Sequence, residues 1–316
     1  MKSVRLDFNE MANPSCHKKC TQEKRKKITE DGLCIETVSV IDGLPVRCVG
    51  EWAIKKIFHL VQYFGIFSTG MKNSWNGKIN YIEICSGTGR CINRSNGVEF
   101  NGTAICILEH EAYKYLNQSL FIDYNQKVID ALNHRITEKK IINAKAIHGN
   151  YYEPSAICKE IRLATQDFGL NLVFIDPTDC SVPFDLLREI KHSLQHVDFI
   201  VNIAIGTDFT RNIRNAIMSP KSHKTVREKY ALFLGSESFY DNPKVLESAI
   251  NGNHVELRRL FREEYTKSLH SIGYEYFDFE SIENYYDLIF ASTHEKGIEF
   301  WRKANAIKLD GQRSIF

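Results

Sequence analysis

Seven short apolar runs limit most strongly what this chain can become: NYIEIC, SLFID, AKAIHG, LNLVFID, VDFIVNIAI, YEYFDF and YYDLIFAS. Each is bounded by turn or acidic residues, and helical stretches such as KVIDALNHRI and PFDLLREIKHSL lie between most of them. Short apolar strands that alternate with helices imply a mostly parallel sheet covered on both faces. The last two runs are close together, which predicts an antiparallel, hairpin-like end. Ahead of the first run, residues 51–64 place Ile54, Ile57, Phe58, Val61 and Phe64 at helical spacing. The expected fold is therefore α/β: a Rossmann-like, seven-stranded sheet with helices on both faces. Ligands in such sheets sit at the carboxyl ends of the strands, near the switch in strand order.

At 316 residues the chain can bury one large core or two small ones. A 43% hydrophobic and 25% charged composition is that of an ordinary soluble protein. No run approaches the ~18 apolar residues of a membrane span, and the charged amino terminus lacks a signal-peptide core. Nine scattered cysteines, an odd number without secretory context, predict reduced thiols in a cytoplasm and no membrane partner.

Four of those cysteines, Cys16, Cys20, Cys34 and Cys48, fall within the first fifty residues. Four thiolates can close a tetrahedral structural zinc site, with His17 as a substitute ligand. The surrounding sequence is polar, and a metal would explain how it orders. Plain structural thiols are the other reading, because only one pair is close in sequence. The spacing argues against a radical-type iron–sulfur cluster, since its usual third cysteine would fall at Glu23.

The strand ends carry the chemistry. Glu83 and the Gly87-Thr88-Gly89 turn close the first run. Glycines let a ligand approach the backbone, and a following helix amino terminus would supply amide donors. A P-loop needs Gly-Lys-Ser/Thr, whereas Arg90 and Cys91 follow Gly89; a third glycine of the dinucleotide type would fall at Ile92. A nucleoside-type ligand fits better, with Glu83 accepting from an amine or hydroxyl. Asp123 ends the second run and is the preferred ribose acid. Spacing of about 20 residues would instead select Glu109, here assigned to an inserted helix. Asn150 follows the third run and could meet an adenine amine. Asp176-Pro177 ends the fourth, where a carboxylate can take a hydrogen bond or proton from a substrate amine. Each of these polar residues could instead cap a turn or helix. A nucleophilic role for Cys180 is a weaker alternative.

Taken together, EICSGTG, FIDYN, HGN and FIDP resemble the ordered motifs of class I S-adenosylmethionine-dependent methyltransferases. More narrowly, the chain resembles the three-Cys-motif partner protein family. That likeness rests on GEWAIKKIFHLVQYF with its Trp52…Lys56 spacing, EICSGTGR, GTAICILEH, FIDP, TDFTRN, LFLGSESFY and YYDLIFASTHEKGIEFW. The motifs keep their order from about residue 40 to residue 303. The resemblance implies S-adenosylmethionine bound on Glu83, Gly87, Gly89, Asp123 and Asn150, with Asp176 and Pro177 at the acceptor. It also implies action beside a three-Cys-motif protein of the radical type. Asp-Pro-Thr-Asp departs from the Asp-Pro-Pro-aromatic tetrad of amino-methylating DNA enzymes, so the ring that stacks on a flipped base is absent from this motif.

Between the fifth and sixth runs lies a long, helical, basic insertion, about residues 206–272. Asp208 and Arg211 stand at its start and share a face if helical. Arg211, Arg214, Lys221, Lys224, Arg227 and Lys229 could line a nucleic-acid surface with Tyr230 and Phe239 for stacking, or simply form a solvated face. The expected organisation is an extension at 1–49, a methyltransferase-like domain at 50–305 and a tail at 306–316. The alternative function is a non-catalytic partner module that binds S-adenosylmethionine or nucleic acid.

Overall fold

The computed structural model describes residues 11–12, 33–165 and 169–307. The chain divides into two compact units, Met1–Gly149 with Glu299–Phe316, and Asn150–Ile298. The first unit holds β1 (Met11–Ala12), β2 (Leu33–Val38), β3 (Pro45–Val49), α1 (Trp52–Met71), β4 (Ile79–Ile84), β5 (Arg90–Asn93), β6 (Val98–Asn101), α2 (Thr103–Glu109), β7 (Gln118–Asp123), α3 (Gln126–Glu138) and β8 (Ala144–His148). The second holds α4 (Pro154–Thr165), β9 (Leu170–Ile175), α5 (Phe184–Ser193), β10 (His196–Ile203), α6 (Thr210–Met218), α7 (Lys224–Leu234), α8 (Ser238–Asp241), α9 (Pro243–Ile250), α10 (His254–Ser271), β11 (Tyr276–Ile282) and β12 (Tyr286–Ser292). The last helix, α11 (Glu295–Asn305), begins in the second unit and ends in the first.

All seven apolar runs form strands of one sheet, ordered β11-β12-β10-β9-β4-β7-β8. Counted along the chain this is 6-7-5-4-1-2-3, which shares the 3-2-1-4-5 order of doubly wound folds. In the first unit β4, β7 and β8 are parallel. In the second, β9 and β10 are parallel, while β12 runs antiparallel to both β10 and β11. The expected antiparallel end is present.

Every residue of β4 is buried, as is every residue of β9. Strands covered on both faces lose the polar alternation and read as continuous apolar runs, which is why they stand out in the sequence. Helix α1 covers the first unit's strands with Ile57, Phe58, Val61 and Phe64 buried. Phe64 meets the Tyr81 ring edge-on at 5.7 Å, and Tyr63 meets Trp301 at 5.6 Å. Among the described residues no helix is long and apolar enough to cross a membrane.

A second sheet, ordered β1-β6-β5-β3-β2, was not expected. After the glycine turn the chain makes a hairpin, β5–β6, before α2 begins. Its turn uses Asn96-Gly97, with Gly97 in the left-handed region at φ 74°. Asn-Gly between two short runs is a hairpin signal. Strand β3 pairs in parallel with β5, and Val46, Cys48 and Ile92 bury one another. The extension's strands β2 and β3 are thus ordered by pairing with the inserted hairpin. Of the expected zinc ligands, Cys16 and Cys20 lie outside the described residues, Cys34 lies in β2, and Cys48 packs in that apolar cluster. Among the described residues no group of three or more His, Cys, Asp or Glu could hold a metal ion.

The insertion is helical as expected, built of several helices from α6 to α10. Gly235, at φ 68°, ends α7, and Asn242 caps α9 ahead of Pro243. Tyr230 and Phe239, expected to be available for stacking, are buried. They pack around Phe261, at 5.9 and 5.5 Å, in an aromatic core that also takes Phe209 at 4.5 Å. A helical insertion must bury an apolar stripe of its own, and these rings supply it.

Arg258 and Arg262 of α10 both reach the fully buried Asp287 of β12, their Nε atoms at 2.8 and 2.6 Å from Oδ2. Burial alone would raise the Asp287 carboxyl, but the two guanidinium groups hold it below its usual value. Removing one partner of a buried ion pair leaves uncompensated charge and costs about 3–5 kcal/mol. Asp287→Asn is expected to lower urea-unfolding stability by about 3 kcal/mol. Because the folded-state value is depressed, wild type keeps this contribution above the ordinary 3.8 and loses it as pH falls through the lower folded value. The variant should lack that acid limb.

Candidate functional site

Side chains two apart on a strand share a face, so Glu83 follows Tyr81 into the core. Tyr81 Oη donates to Glu83 Oε2 at 2.8 Å, and Thr103 Oγ1 donates to Oε1. The acid expected to face a ligand is fully buried and ties β4 to the first turn of α2. The hydroxyls explain why a carboxylate can sit there: buried acceptors are tolerated when they are hydrogen-bonded.

Beyond Ile84 the chain turns through left-handed positions at Cys85 (φ 65°), Gly87 (φ 66°) and Gly89 (φ 83°). Ser86 N donates to Ile122 O at 3.1 Å, while Ser86 Oγ is buried without a partner among the described residues. Gly87 N donates to Asp123 Oδ2 at 3.0 Å, and Asn125 N donates to Asp123 Oδ1 at 3.1 Å. Gly149 N donates to Asp123 O at 2.9 Å. One residue, Asp123, therefore joins the carboxyl ends of β4, β7 and β8. Each of its carboxylate oxygens receives one backbone N–H, which leaves acceptor capacity for a ligand's hydroxyls. Glu109, the competing ribose acid, is the last residue of α2, where it pairs with Lys139 and accepts from Asn101 Nδ2 at 2.8 Å.

The two glycines differ. Gly87 is buried, and a Cβ on it would have ordinary contact only, with Arg47 Nη1 at 3.5 Å. A Cβ on Gly89 would strike Leu132 and Ile105 at 2.8 and 2.9 Å. The hairpin leaves from Gly89 and returns there, because Gly102 N donates to Gly89 O at 2.8 Å. No helix follows the glycine turn directly; α2 starts only after the hairpin closes.

Arg135 of α3, missed in the sequence, fixes this loop from behind. Its guanidinium donates to Thr88 O at 2.6 Å, to Pro45 O at 3.1 Å, and to both oxygens of Asp42 at 2.7 and 2.9 Å. Burial would raise the Asp42 carboxyl, but Arg135 and the Leu44 amide hold it below its usual value. Trp52 opens α1 with the Arg94 guanidinium 5.7 Å from its ring, and Lys56 is buried one turn later.

In the second unit Asn150 has a local task. Its Oδ1 accepts from Tyr152 N at 3.1 Å and its Nδ2 donates to Glu153 Oε1 at 3.0 Å, which shapes the turn into α4. Asp176 is held from β10: Asn202 Nδ2 donates to Asp176 Oδ1 at 2.8 Å and to Pro177 O at 3.2 Å. Asn202 is a fully buried polar residue in the apolar run VDFIVNIAI. That interruption was the one signal that could have found it.

Asp208 is a hub. Its Oδ2 accepts from Cys180 N at 3.0 Å and Lys229 Nζ at 2.6 Å; its Oδ1 accepts from Asn212 Nδ2 at 2.8 Å and Tyr230 Oη at 3.2 Å. Asp208 lies in a π-helical turn, Ile205–Phe209, and is buried, whereas Arg211 in α6 is exposed. The two do not share a face, because the wider turn breaks the α-helical period. Cys180 is fully buried with its thiol pushed well up by burial and by Asp208, which makes it no nucleophile. Of the basic series, Lys229 belongs to Asp208, Arg214 donates to Ala249 O at 3.0 Å, and Arg227 lies 3.7 Å over the Tyr240 ring.

No protein-family model matches the chain, and no curated protein matches it. Among solved structures it is similar to the CurJ carbon methyltransferase, at 14% identity and TM-score 0.38, over 69% of this chain and 49% of that one. A SAM-dependent methyltransferase from Aquifex aeolicus aligns at 10% identity and TM-score 0.34, over 69% and 83%. Human N-acetylserotonin methyltransferase, solved in complex with SAM, aligns at 13% and 0.35, over 76% and 53%. The chain spans about half the length of the first and third of these. At such scores no residue role passes from those proteins to this one.

Gly87→Ala incurs left-handed strain alone, about 1–2 kcal/mol. Gly89→Ala adds a core collision of about 1–3 kcal/mol. Urea unfolding should therefore rank Gly89→Ala clearly below Gly87→Ala; equal losses would show that Leu132 and Ile105 do not bind Gly89 closely.

Proposed function

We propose that the chain is an S-adenosylmethionine-dependent methyltransferase. The observation that carries this reading is the Gly87 N–H held by the Asp123 carboxylate, at the carboxyl ends of two neighbouring parallel strands. Two features fit the donor: the orphaned Ser86 Oγ and the remaining acceptor capacity on Asp123. Asp123 would accept from the ribose hydroxyls, and the Cys85–Gly89 turn would line the rest of the ligand. When bound, the donor supplies an electrophilic methyl group. Asp176, oriented by Asn202, would accept a hydrogen bond or proton from the acceptor.

For the acceptor we favour nucleic acid, supported by the exposed Arg211, Lys221 and Lys224 of the insertion. A three-Cys-motif protein as partner is supported by the ordered motifs alone. Co-purification of the two proteins would test that pairing.

Calorimetry with S-adenosylmethionine and S-adenosylhomocysteine tests the donor. Binding is expected with both. Asp123→Ala should weaken it at least about tenfold, the loss of a charge-assisted hydrogen-bond pair, while Glu109→Ala leaves it unchanged. No heat with either ligand in the wild type would sink the methyltransferase reading.

A further inference from the structure

The ring missing from the Asp-Pro-Thr-Asp motif has a counterpart on another loop of the same unit. Tyr151 and Tyr152 follow β8, with ring centroids 4.8 Å apart and inclined by 50°. The Tyr151 and Ser181 hydroxyls are hydrogen-bonded at 3.2 Å, which pins the tyrosine pair to the loop that follows β9. That loop carries Asp176, Pro177 and Asp179. Tyr152 is 54% exposed, with the Tyr151 ring behind it. Its phenol is raised by burial and by the nearby Asp179 charge, with Lys229 opposing. The Asp179 side chain is 39% exposed and gives one oxygen to Lys229 Nζ at 3.3 Å. Lys229 is itself locked to Asp208, which also accepts from Cys180 N, so the loop is braced from beneath.

An exposed aromatic ring near the Asp179 carboxylate selects a particular ligand. A flat ring stacks on tyrosine whatever its sequence context. A carboxylate can only accept hydrogen bonds, so the ring's edge must offer N–H donors. We propose that Tyr152, with Tyr151 behind it, is the stacking wall of an acceptor subsite for a planar ring bearing an exocyclic amine, whose N–H groups are received by Asp179. This rests on the methyltransferase reading for its purpose, but not for its binding. The subsite takes the place of the aromatic residue that the motif lacks. Asp208 and Lys229 are positioning residues, because they act through the loop and touch no ligand.

Cytidine and uridine are the probes: cytidine carries an exocyclic amine where uridine carries a carbonyl, and uridine keeps a single ring N–H at N3. Each is titrated by ligand-observed NMR, with and without S-adenosylhomocysteine, so that the donor site is not mistaken for the subsite. Cytidine should bind several-fold tighter than uridine. Tyr152→Ala should weaken cytidine about tenfold, within the range of one base–aromatic stack, while Tyr152→Phe stays within about twofold of wild type, the ring being kept. Asp179→Asn should erase the preference for cytidine over uridine. Both tyrosine variants alter an exposed side chain, and far-UV circular dichroism confirms their folding. A short oligo-deoxycytidine that binds tighter than cytidine assigns the ring to a strand; equal binding assigns it to a free nucleoside, and both support the subsite. Equal affinity for cytidine and uridine, or a Tyr152→Ala that binds like wild type, overturns it. If S-adenosylhomocysteine fails to bind while the cytidine preference holds, the donor reading falls and the subsite stands. If it binds and the preference is absent, the reverse is true.

Discussion

The Arg135 guanidinium joins four pieces of the first unit that are far apart in sequence: the Asp42 turn, the start of β3, the glycine turn at Thr88, and its own helix α3. A planar fork of donors in fixed geometry suits this task better than a lysine, because it can satisfy a carboxylate and two carbonyls at once. Its neighbour Leu132, three residues earlier on the same helix, packs where Gly89 has no side chain. Charge and shape together press α3 onto the back of the loop. The front of that loop is then left to Asp123, which holds Gly87 by its amide.

The second unit uses the same device with carboxylates at its centre. Asp208 collects a lysine, a tyrosine, an asparagine and a backbone amide, and Asp287 collects two arginines. Buried polar groups are costly unless fully partnered, and when partnered they specify a single arrangement. At Asp208 that arrangement sets the Asp176–Ser181 loop; at Asp287 it sets α10 against β12. The insertion is thereby built into the unit rather than appended to it. Its cations are divided accordingly, some consumed in structure and others left at the surface.

The parts legible in the sequence were those with strong periodicity. Seven strands, the antiparallel end and the preference for Asp123 over Glu109 as the strand-end acid could be seen because burial on both faces leaves continuous apolar runs. The hairpin after Gly89 stands where a glycine turn predicts a helix, and Asn96-Gly97 is its one mark in the sequence. Glu83 was read from its position before the turn, but which face of the strand it occupies is decided by alternation with Tyr81. Asn150 illustrates a different limit: an asparagine at a strand end serves a ligand or its own turn with the same letters around it. Tyr230 and Phe239 were read as available rings, and only the aromatic core around Phe261 shows where they go.

The sequence by itself determined the alternation of strands and helices, the order in which acids and glycines meet the strand ends, and the absence of a P-loop lysine. These are local facts, set by periodicity and by which residues tolerate a tight turn. Only the tertiary structure decided that Asp123 holds the glycine turn, that Glu83 is buried beneath it, and that Tyr151 reaches Ser181 beside the Asp176 loop. The Gly87–Asp123 and Tyr151–Ser181 hydrogen bonds join residues thirty or more positions apart and depend on how strands are registered and how helices are pressed onto them. No spacing along the chain encodes that register.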